Sequence, residues 1–442
     1  MLITPFGNIL MTTVPATDYA DVWYKPKTAD APLRAALGGA ADVDICIIGG
    51  GLAGLTAAYD LAKAGRKVAL VEARRVGWGA SGRNGGFVSA GYSAGYERMA
   101  ARVGKDAANA LFAMSIEGIK IVAGNIRDLN ITAAAPCPGI LGAVRYDAGR
   151  GLIEHRDWLA KEFNYTVDHL DRAALTKHVT SPRYHQALHD QNAFHFDPLA
   201  YCLGLARAAE AAGASLYEAT PADRLEKTSG GWQVTTPKGR ITARDVLVTT
   251  GGYTDQLVPE MSRAFLPIAT YVMTTKADPD LIATAIHTRS AIGDDRRAGD
   301  YYRLVDGGKR VLWGGKITTR TTEPRHLGKL LHRTMTDTYP QLANLPIDQV
   351  WTGLMSYARH MMPQIGRLPS GLWHCTAFGG HGMNTTAIGG RVIAEGILGQ
   401  SDRYRRFAPF GLDWVGGIVG MAAVQLTYWQ YQAMDIWRER KG

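Results

Sequence analysis

Asp44-Ile45-Cys46-Ile47-Ile48 sets four apolar side chains in a row directly before a run of glycines, the pattern of a strand buried on both faces. Behind the glycines, Leu52, Leu55 and Ala58–Tyr59 recur at helical spacing, Gly65 stops the helix, and Lys67 to Val71 reads as a second strand ending on Glu72. Met99, Val103, Ala107, Leu111, Met114 and Ile121 predict one helix over residues 96–129, with Gly118 on its apolar face as a close packing point or a break. Ile140 to Arg145 predicts a strand and Leu152 to Phe163 a helix; Asp197 caps and Pro198 opens a further helix that Gly213 ends. Strands at 223–226, 232–236 and 240–243 form a meander that turns at Pro237-Lys238-Gly239. Val246-Leu247-Val248 is another buried strand ending in glycines. Residues 266–351 are strand-rich and hold a hairpin, Tyr301–Val305 and Arg310–Trp313 about Asp306-Gly307-Gly308. Leu372 to Phe378 is a last strand, followed by Gly379–Thr385 and a helix containing Ile388, Val392 and Ile393.

Strand, helix and strand at the start, with buried strands re-entered late in the chain, predict an α/β fold: a Rossmann-type domain interleaved with an α+β, β-sheet-rich second domain. The expected division is an N-terminal arm over 1–40, a discontinuous nucleotide domain over 41–135, 198–262 and 350–410, a substrate domain over 136–197 and 263–349, and a helical extension over 411–442. In that extension Trp414 to Val424 is apolar and uncharged, with Arg403, Arg405 and Arg406 before it and Arg438, Arg440 and Lys441 after. It is shorter than the roughly 20 residues that span a bilayer. A helix covering the core or a subunit contact is preferred to one lying on a membrane.

Gly49, Gly51 and Gly54 form G-x-G-x-x-G between the first strand and its helix, and Glu72 lies eighteen residues past Gly54. Gly49 permits the turn, Gly51 the approach of backbone to a pyrophosphate, and Gly54 the packing of helix on strand. The helix start offers N–H groups and partial positive charge to phosphate, and Glu72 accepts from a ribose hydroxyl. This unit marks a dinucleotide site and by itself admits NAD or FAD. A second glycine-rich run, Val76 to Gly86, carries Trp78, Arg83 and Asn84, side chains foreign to a flexible linker.

Composition narrows the partners. The 442 residues carry a net charge of +9, with 46% hydrophobic and 20% charged residues. Lys and Arg are scattered without an aromatic-interleaved basic stripe, which argues against nucleic acid. Cys46, Cys137, Cys202 and Cys375 have no metal-like spacing and read as free thiols of a cytoplasmic protein. No secretory signal opens the first forty residues, and Met11 is an alternative start to Met1.

Together, the unit ending at Glu72, the run Gly79-Ala80-Ser81-Gly82-Arg83-Asn84-Gly85-Gly86 and Phe378-Gly379-Gly380-His381-Gly382-Met383 resemble the D-amino-acid oxidase, glycine oxidase and sarcosine oxidase superfamily of FAD enzymes. The Ala-Ser-Gly-Arg-Asn-Gly-Gly run is similar to the gamma-glutamylputrescine oxidoreductase branch, and the resemblance covers roughly residues 40 to 400. It implies that Gly49, Gly51, Leu52, Ala53 and Gly54 hold the pyrophosphate, with Glu72, Ala73 and Arg74 at the ribose. Ala80, Ser81, Gly82, Arg83, Asn84, Gly85 and Gly86 would line the pyrophosphate and isoalloxazine, Ala222 would meet adenine through its backbone, and Thr250 and Gly251 would close that end. Gly380, His381, Gly382, Met383 and Asn384 would bring a helix start to the flavin N1/C2 carbonyl, where reduction places negative charge. Relatives that link flavin covalently use a histidine where Arg83 and Asn84 stand here, or a cysteine for which Cys375 is the sole counterpart; non-covalent FAD is expected. His360 replaces the Asp of the family's T-x-D-x-x-P.

The implied reaction is oxidation of a C–N bond in a secondary amine, amino acid or polyamine-derived amine, with the imine hydrolysed and oxygen as acceptor. The alternatives are a membrane-associated dehydrogenase feeding quinone, or a flavin-binding protein without turnover. Tyr301 and Tyr302 alternate, so one faces the pocket and the other does not. Lys316 stands near N5 or activates oxygen, or is a solvated strand-end lysine. Tyr271 and Trp351 are wall candidates. Arg83 binds a substrate carboxylate or holds its loop, and His381 shapes its loop or touches flavin rather than acting as acid or base. His195 reads as structural. No metal is expected, membrane association is not, and an oligomer is open.

Overall fold

The structure is a computed structural model that describes residues 17–25, 31–296, 299–319, 324 and 326–441. Met1 and Met11 lie outside the described residues.

Strand Gly39–Ile48 sits near the middle of an eight-stranded sheet because Ile45 to Ile48 are apolar on both faces and need cover on both. It runs parallel to Val68–Val71 on one side and Gly239–Val248 on the other. Ser215–Tyr217 and Trp373–Thr376 extend the parallel order outward, and Gln364–Arg367 closes one edge antiparallel. The meander strands join this sheet through Gly239–Val248, one continuous strand where the sequence pattern suggested two. Helices Leu52–Lys63 and Gly382–Leu398 lie against each other so closely that a Cβ on Gly390 would stand 2.6 Å from the Ala53 carbonyl oxygen.

The second sheet has nine strands, with Ile347–Tyr357, Leu266–Thr275, Arg310–Thr318 and Tyr301–Val305 adjacent in that order. One face carries Tyr271, Tyr302, Trp313 and Leu354 into a core completed by Leu331 and Met335 of helix Leu327–Thr338 and by Tyr339, which follows it. The other face, bearing Thr270, Tyr301, Arg303 and Gly353, meets the glycine-rich loops of the first sheet. The described part of the arm is tied down: Tyr19 and Tyr24 are buried, and Arg75 donates to the carbonyls of Thr17, Ala31 and Pro32 while pairing with fully buried Glu218.

The helix expected over 96–129 is two, Tyr96–Val103 and Lys105–Asp128, broken at Gly104 with φ +82. Gly118 is the packing point instead; a Cβ there would collide with the Asn384 carbonyl oxygen. Lys105–Asp128 is long and apolar enough to cross a membrane by length and composition, and half of its most apolar window is buried inside the protein.

Asp197 caps Pro198–Ala211 by accepting from the N–H groups of Leu199 and Ala200. Burial raises its carboxyl from 3.8 to about 6. Between those values the folded chain holds a proton that the unfolded chain has lost, so this group destabilises the fold above pH 6 and the penalty fades as pH falls toward 4. Asp197→Asn keeps an acceptor without the charge. Its thermal midpoint is expected to exceed the parent's near pH 7.5, by at most about 3 kcal/mol of stability, and the two to converge near pH 4.

Candidate functional site

At the end of the first strand Gly49 takes φ +113, and a Cβ there would lie 2.9 Å from the Thr249 carbonyl oxygen. Gly54 admits no Cβ either, since one would strike the Gly49 carbonyl oxygen. At Gly51 the close neighbour is Ser81 Oγ, 2.9 Å from where a Cβ would stand, and this hydroxyl accepts the Leu52 N–H at 3.0 Å. The second glycine-rich run therefore folds directly onto the first. Helix Leu52–Lys63 opens at Gly51 with no capping side chain of its own. Glu72 accepts the Gly50 N–H at 2.7 Å and the Arg74 N–H at 2.9 Å; burial raises its carboxyl and those two N–H groups oppose the rise. Ala73 beside it is exposed.

The run Ala80–Gly86 braces itself. Asn84 donates to the carbonyls of Ala80 and Ser81 and accepts the Gly86 N–H at 2.7 Å. Gly86, at φ +79, approaches the Phe196 carbonyl, and a Cβ on Gly85 would be 2.7 Å from the Tyr301 ring. Arg83 donates to the carbonyls of Trp78 and Thr352 and lies over the Trp78 ring at 4.3 Å, with Arg74 stacked on the same indole at 4.4 Å. Burial lowers the Arg83 pKa. These contacts fit the loop-holding reading of Arg83, and the Trp351 indole N–H adds a bond to the Arg83 carbonyl at 2.8 Å.

The third segment returns from the far end of the chain. Gly379 takes φ +61, and a Cβ on Gly379 or Gly380 would be 2.8 or 2.6 Å from the Tyr357 side chain. Helix Gly382–Leu398 begins after His381 without a side-chain cap. The His381 ring Nε2 reaches the Ser89 and Ala90 carbonyls, both at 3.1 Å, so it carries the proton there. Burial lowers its pKa, leaving a neutral ring that pins the segment just after strand Phe87–Val88. Met383 and Asn384 are buried, and Asn384 donates to the Ser115 carbonyl. At the adenine end, Thr250 Oγ1 and Thr254 Oγ1 are 2.5 Å apart, Gly251 has φ +55, and half-buried Ala222 packs beside Trp232's cluster.

Of the tyrosine pair, Tyr301 faces these loops, and burial pushes its phenol up to about 12, so it stays neutral. Tyr302 points the other way, stacked on Trp313 at 4.1 Å and bonded to the Tyr184 and Tyr339 hydroxyls. Tyr271, named as a wall candidate, shares that opposite core. Lys316 lies near the end of strand Arg310–Thr318. It is the extra residue of a β-bulge, with φ +54 between the pairs Thr270–Ile317 and Tyr271–Gly315, and it lines a cavity of about 560 Å³ with Arg145, Asp300, Thr334 and Glu439. Thr334 belongs to the helix over Trp313, so this cavity is on the sheet face opposite Tyr301. His195 donates to the Arg289 carbonyl and is held near pKa 4 by burial; His360 lies between Gly411 and Met362, far from Tyr301 in its bonding. Cys375 is fully buried against Gly389, with its thiol pushed up.

Two residues beyond those named from sequence stand at this site. Tyr357 backs the third loop. Arg303 donates to the carbonyls of Gly85 and Phe196 and to the Tyr24 hydroxyl, clamping the second loop from beneath. Neither lies in a motif: the Arg303 partners are more than a hundred residues away, and Tyr357 stands on a strand of the second sheet, 22 residues before Gly379.

The cradle suits a dinucleotide: two helices start at it without a capping side chain on their N-cap residues, Gly49 and Gly54 leave no room for Cβ atoms, and the Trp78 indole N–H is buried there without a hydrogen-bond partner. Residues 44–396 match the family described as DAO, FAD dependent oxidoreductase. The chain belongs to this family. The DAO match is supported by gamma-glutamylputrescine oxidoreductase of Escherichia coli, 33% identical over 367 residues, which cover 83% of this chain and 86% of that one. Among solved structures, glycine oxidase from Geobacillus kaustophilus superposes with a TM-score of 0.71 at 19% identity, covering 84% of this chain and 99% of that one. L-proline dehydrogenase from P. horikoshii gives a TM-score of 0.70 at 19% identity, covering 85% and 100%. The DAO fold and its FAD cofactor are thereby established, as is the class: an oxidoreductase of amines or amino acids.

Proposed function

We propose that this DAO-family enzyme oxidises the C–N bond of a secondary amine, amino acid or polyamine-derived amine and uses oxygen as acceptor, in the cytoplasm. FAD, when bound, would supply the chemistry of hydride acceptance from the carbon beside nitrogen, and the resulting imine would be hydrolysed by water to a carbonyl and an amine. The observation that carries the reading is the meeting of three glycine-rich segments, Gly49–Gly54, Ser81–Gly86 and Gly379–Asn384, around two uncapped helix starts. The first start, with Glu72, would hold the adenosine diphosphate. The second, through the N–H groups of Gly382, Met383 and Asn384, would face negative charge developing on the ring. Half-buried Tyr301 and Tyr357 have raised pKa values and stay neutral phenols, and His381 has its N–H committed to carbonyls, so these groups orient and dry the site rather than take a proton. The amine would arrive at the flavin already deprotonated. Arg83 and Asn84 at the second loop, and a Cys375 buried as a thiol, favour FAD held without a covalent link.

The fold itself serves both acceptors, since an oxidase and a dehydrogenase superpose on it equally well. An anaerobic panel of amines, read by bleaching of the flavin band and followed by admission of air, tests the proposal. Bleaching by a secondary or amino-acid-derived amine, then reoxidation with peroxide release, is the expected result. Bleached enzyme that air does not reoxidise would replace the oxidase reading with a dehydrogenase.

A further inference from the structure

The C-terminal helix Gly417–Lys441 is inside out. Its seated side is polar: Gln425 accepts from Thr318 and Thr319, the Tyr428 hydroxyl accepts the Ile317 N–H at 3.0 Å, and Glu439 stands within 4.0 Å of Arg145, Arg183 and Arg296. Its outward side is apolar. Of the eleven large hydrophobic side chains exposed on the described residues, nine fall between Trp414 and Trp437, including Val419 at 77% and Leu426 at 62% exposure. At 3.6 residues per turn, Ile418, Val419, Leu426, Trp429, Ile436 and Trp437 share an arc of about 100°, and Met434 widens it to about 160° over a length of roughly 29 Å. No Asp, Glu, Lys or Arg occurs from Trp414 to Met434, and the acids that follow, Asp435 and Glu439, line the cavity beneath the helix.

Water is a poor neighbour for such a face, which exceeds the isolated apolar residues ordinary on a surface. A second copy of the chain fits it badly. A helix pair buries a narrower seam, and exposed Arg405 and Arg406 before the face, with exposed Arg438 at its end, would meet arginines of the other copy in either orientation. An anionic surface satisfies both observations, accepting the arc into its apolar boundary and neutralising the flanking arginines. We propose that this face docks the enzyme on the surface of an anionic lipid bilayer, the helix lying in the interface plane. Seated on the body by Gln425, Tyr428 and Glu439, the helix does not span the bilayer.

The holoenzyme should pellet with vesicles of phosphatidylcholine and phosphatidylglycerol, its flavin absorbance moving with it, and bind pure phosphatidylcholine more weakly. The triple variant I418D/L426D/I436D places carboxylates on the outward arc only, away from every docking bond. It should keep the parent's flavin content and thermal midpoint and lose vesicle affinity about tenfold or more, since three apolar side chains no longer enter the bilayer boundary. Light scattering without lipid gives the mass of both proteins. No vesicle binding by the parent, or binding that the triple variant retains, overturns the proposal; a parent dimer that the variant makes monomeric, with no vesicle binding, assigns the face to a second copy. Flavin content and amine bleaching are read separately, so failure here leaves the proposed reaction standing.

Discussion

Gly51→Val is expected to give a folded, colourless protein. Gly51 has φ −84 and ψ −179, extended backbone that valine adopts without strain, so the substitution does not disturb the strand-to-helix turn. The new Cβ meets one atom, Ser81 Oγ at 2.9 Å, and that hydroxyl sits on a side chain that can rotate away. Rotation surrenders its bond to the Leu52 N–H and puts valine methyls where the first helix turn opens toward phosphate. Losing one charge-assisted bond to a pyrophosphate costs about 1.5–3 kcal/mol, and excluding its close approach adds to that, so FAD affinity should fall by about a hundredfold or more. Gly54→Val provides the contrast. Its Cβ would strike the Gly49 backbone oxygen, which cannot rotate, and the outcome there is loss of folded protein. Glu72→Ala falls between them: it removes the proposed ribose acceptor and also releases the Gly50 and Arg74 N–H groups. Flavin absorbance per protein, alongside circular dichroism and a thermal midpoint, separates the three. A Gly51→Val enzyme that purifies with full flavin would refute the assignment of this turn to the cofactor.

The glycine motif is legible in the sequence because its signal is local: strand, turn and helix start are written within a dozen residues, and each glycine answers to backbone geometry nearby. The same residue type misleads at the long helix. Gly104 and Gly118 look alike in sequence, yet one takes φ +82 and ends a helix while the other lets the Asn384 backbone approach. Only the tertiary partner tells a glycine needed for its torsion from one needed for its size. Alternation tells that Tyr301 and Tyr302 face apart without telling which meets the loops, because each face of the strand carries one tyrosine and one aliphatic side chain, Val305 or Leu304. Lys316 shows the limit of alternation itself, since the bulge at that residue resets the period. By hydropathy the C-terminal stretch reads as a helix that hides its apolar side. Ion pairs and the Tyr428 hydroxyl win that contest, and the apolar side is turned out.

Arg303 lies outside every motif, yet its removal carries the second large effect. Its guanidinium is buried and donates to the Gly85 carbonyl at 2.7 Å, the Phe196 carbonyl at 2.9 Å and the Tyr24 hydroxyl at 2.9 Å, with His195 Nδ1 at 3.3 Å. It thus joins the second glycine-rich loop, the strand end before Asp197, and the arm in one planar fork. Arg303→Leu fills some of the volume and leaves two buried carbonyls without donors, each costing about 1–3 kcal/mol, so the thermal midpoint should drop by several degrees or more. The loop suffers first, because Gly85 packs on the Tyr301 ring and Gly86 on the Phe196 carbonyl with no slack at either point. FAD retention should therefore fall with stability in Arg303→Leu. Arg303→Lys keeps the charge but reaches only one or two acceptors, since an ammonium lacks the fork geometry, and should recover part of the midpoint and less of the flavin. That split between midpoint and flavin is the informative readout. If lysine restores both equally, Arg303 acts through its charge alone; if it restores neither, the planar fork is needed for both.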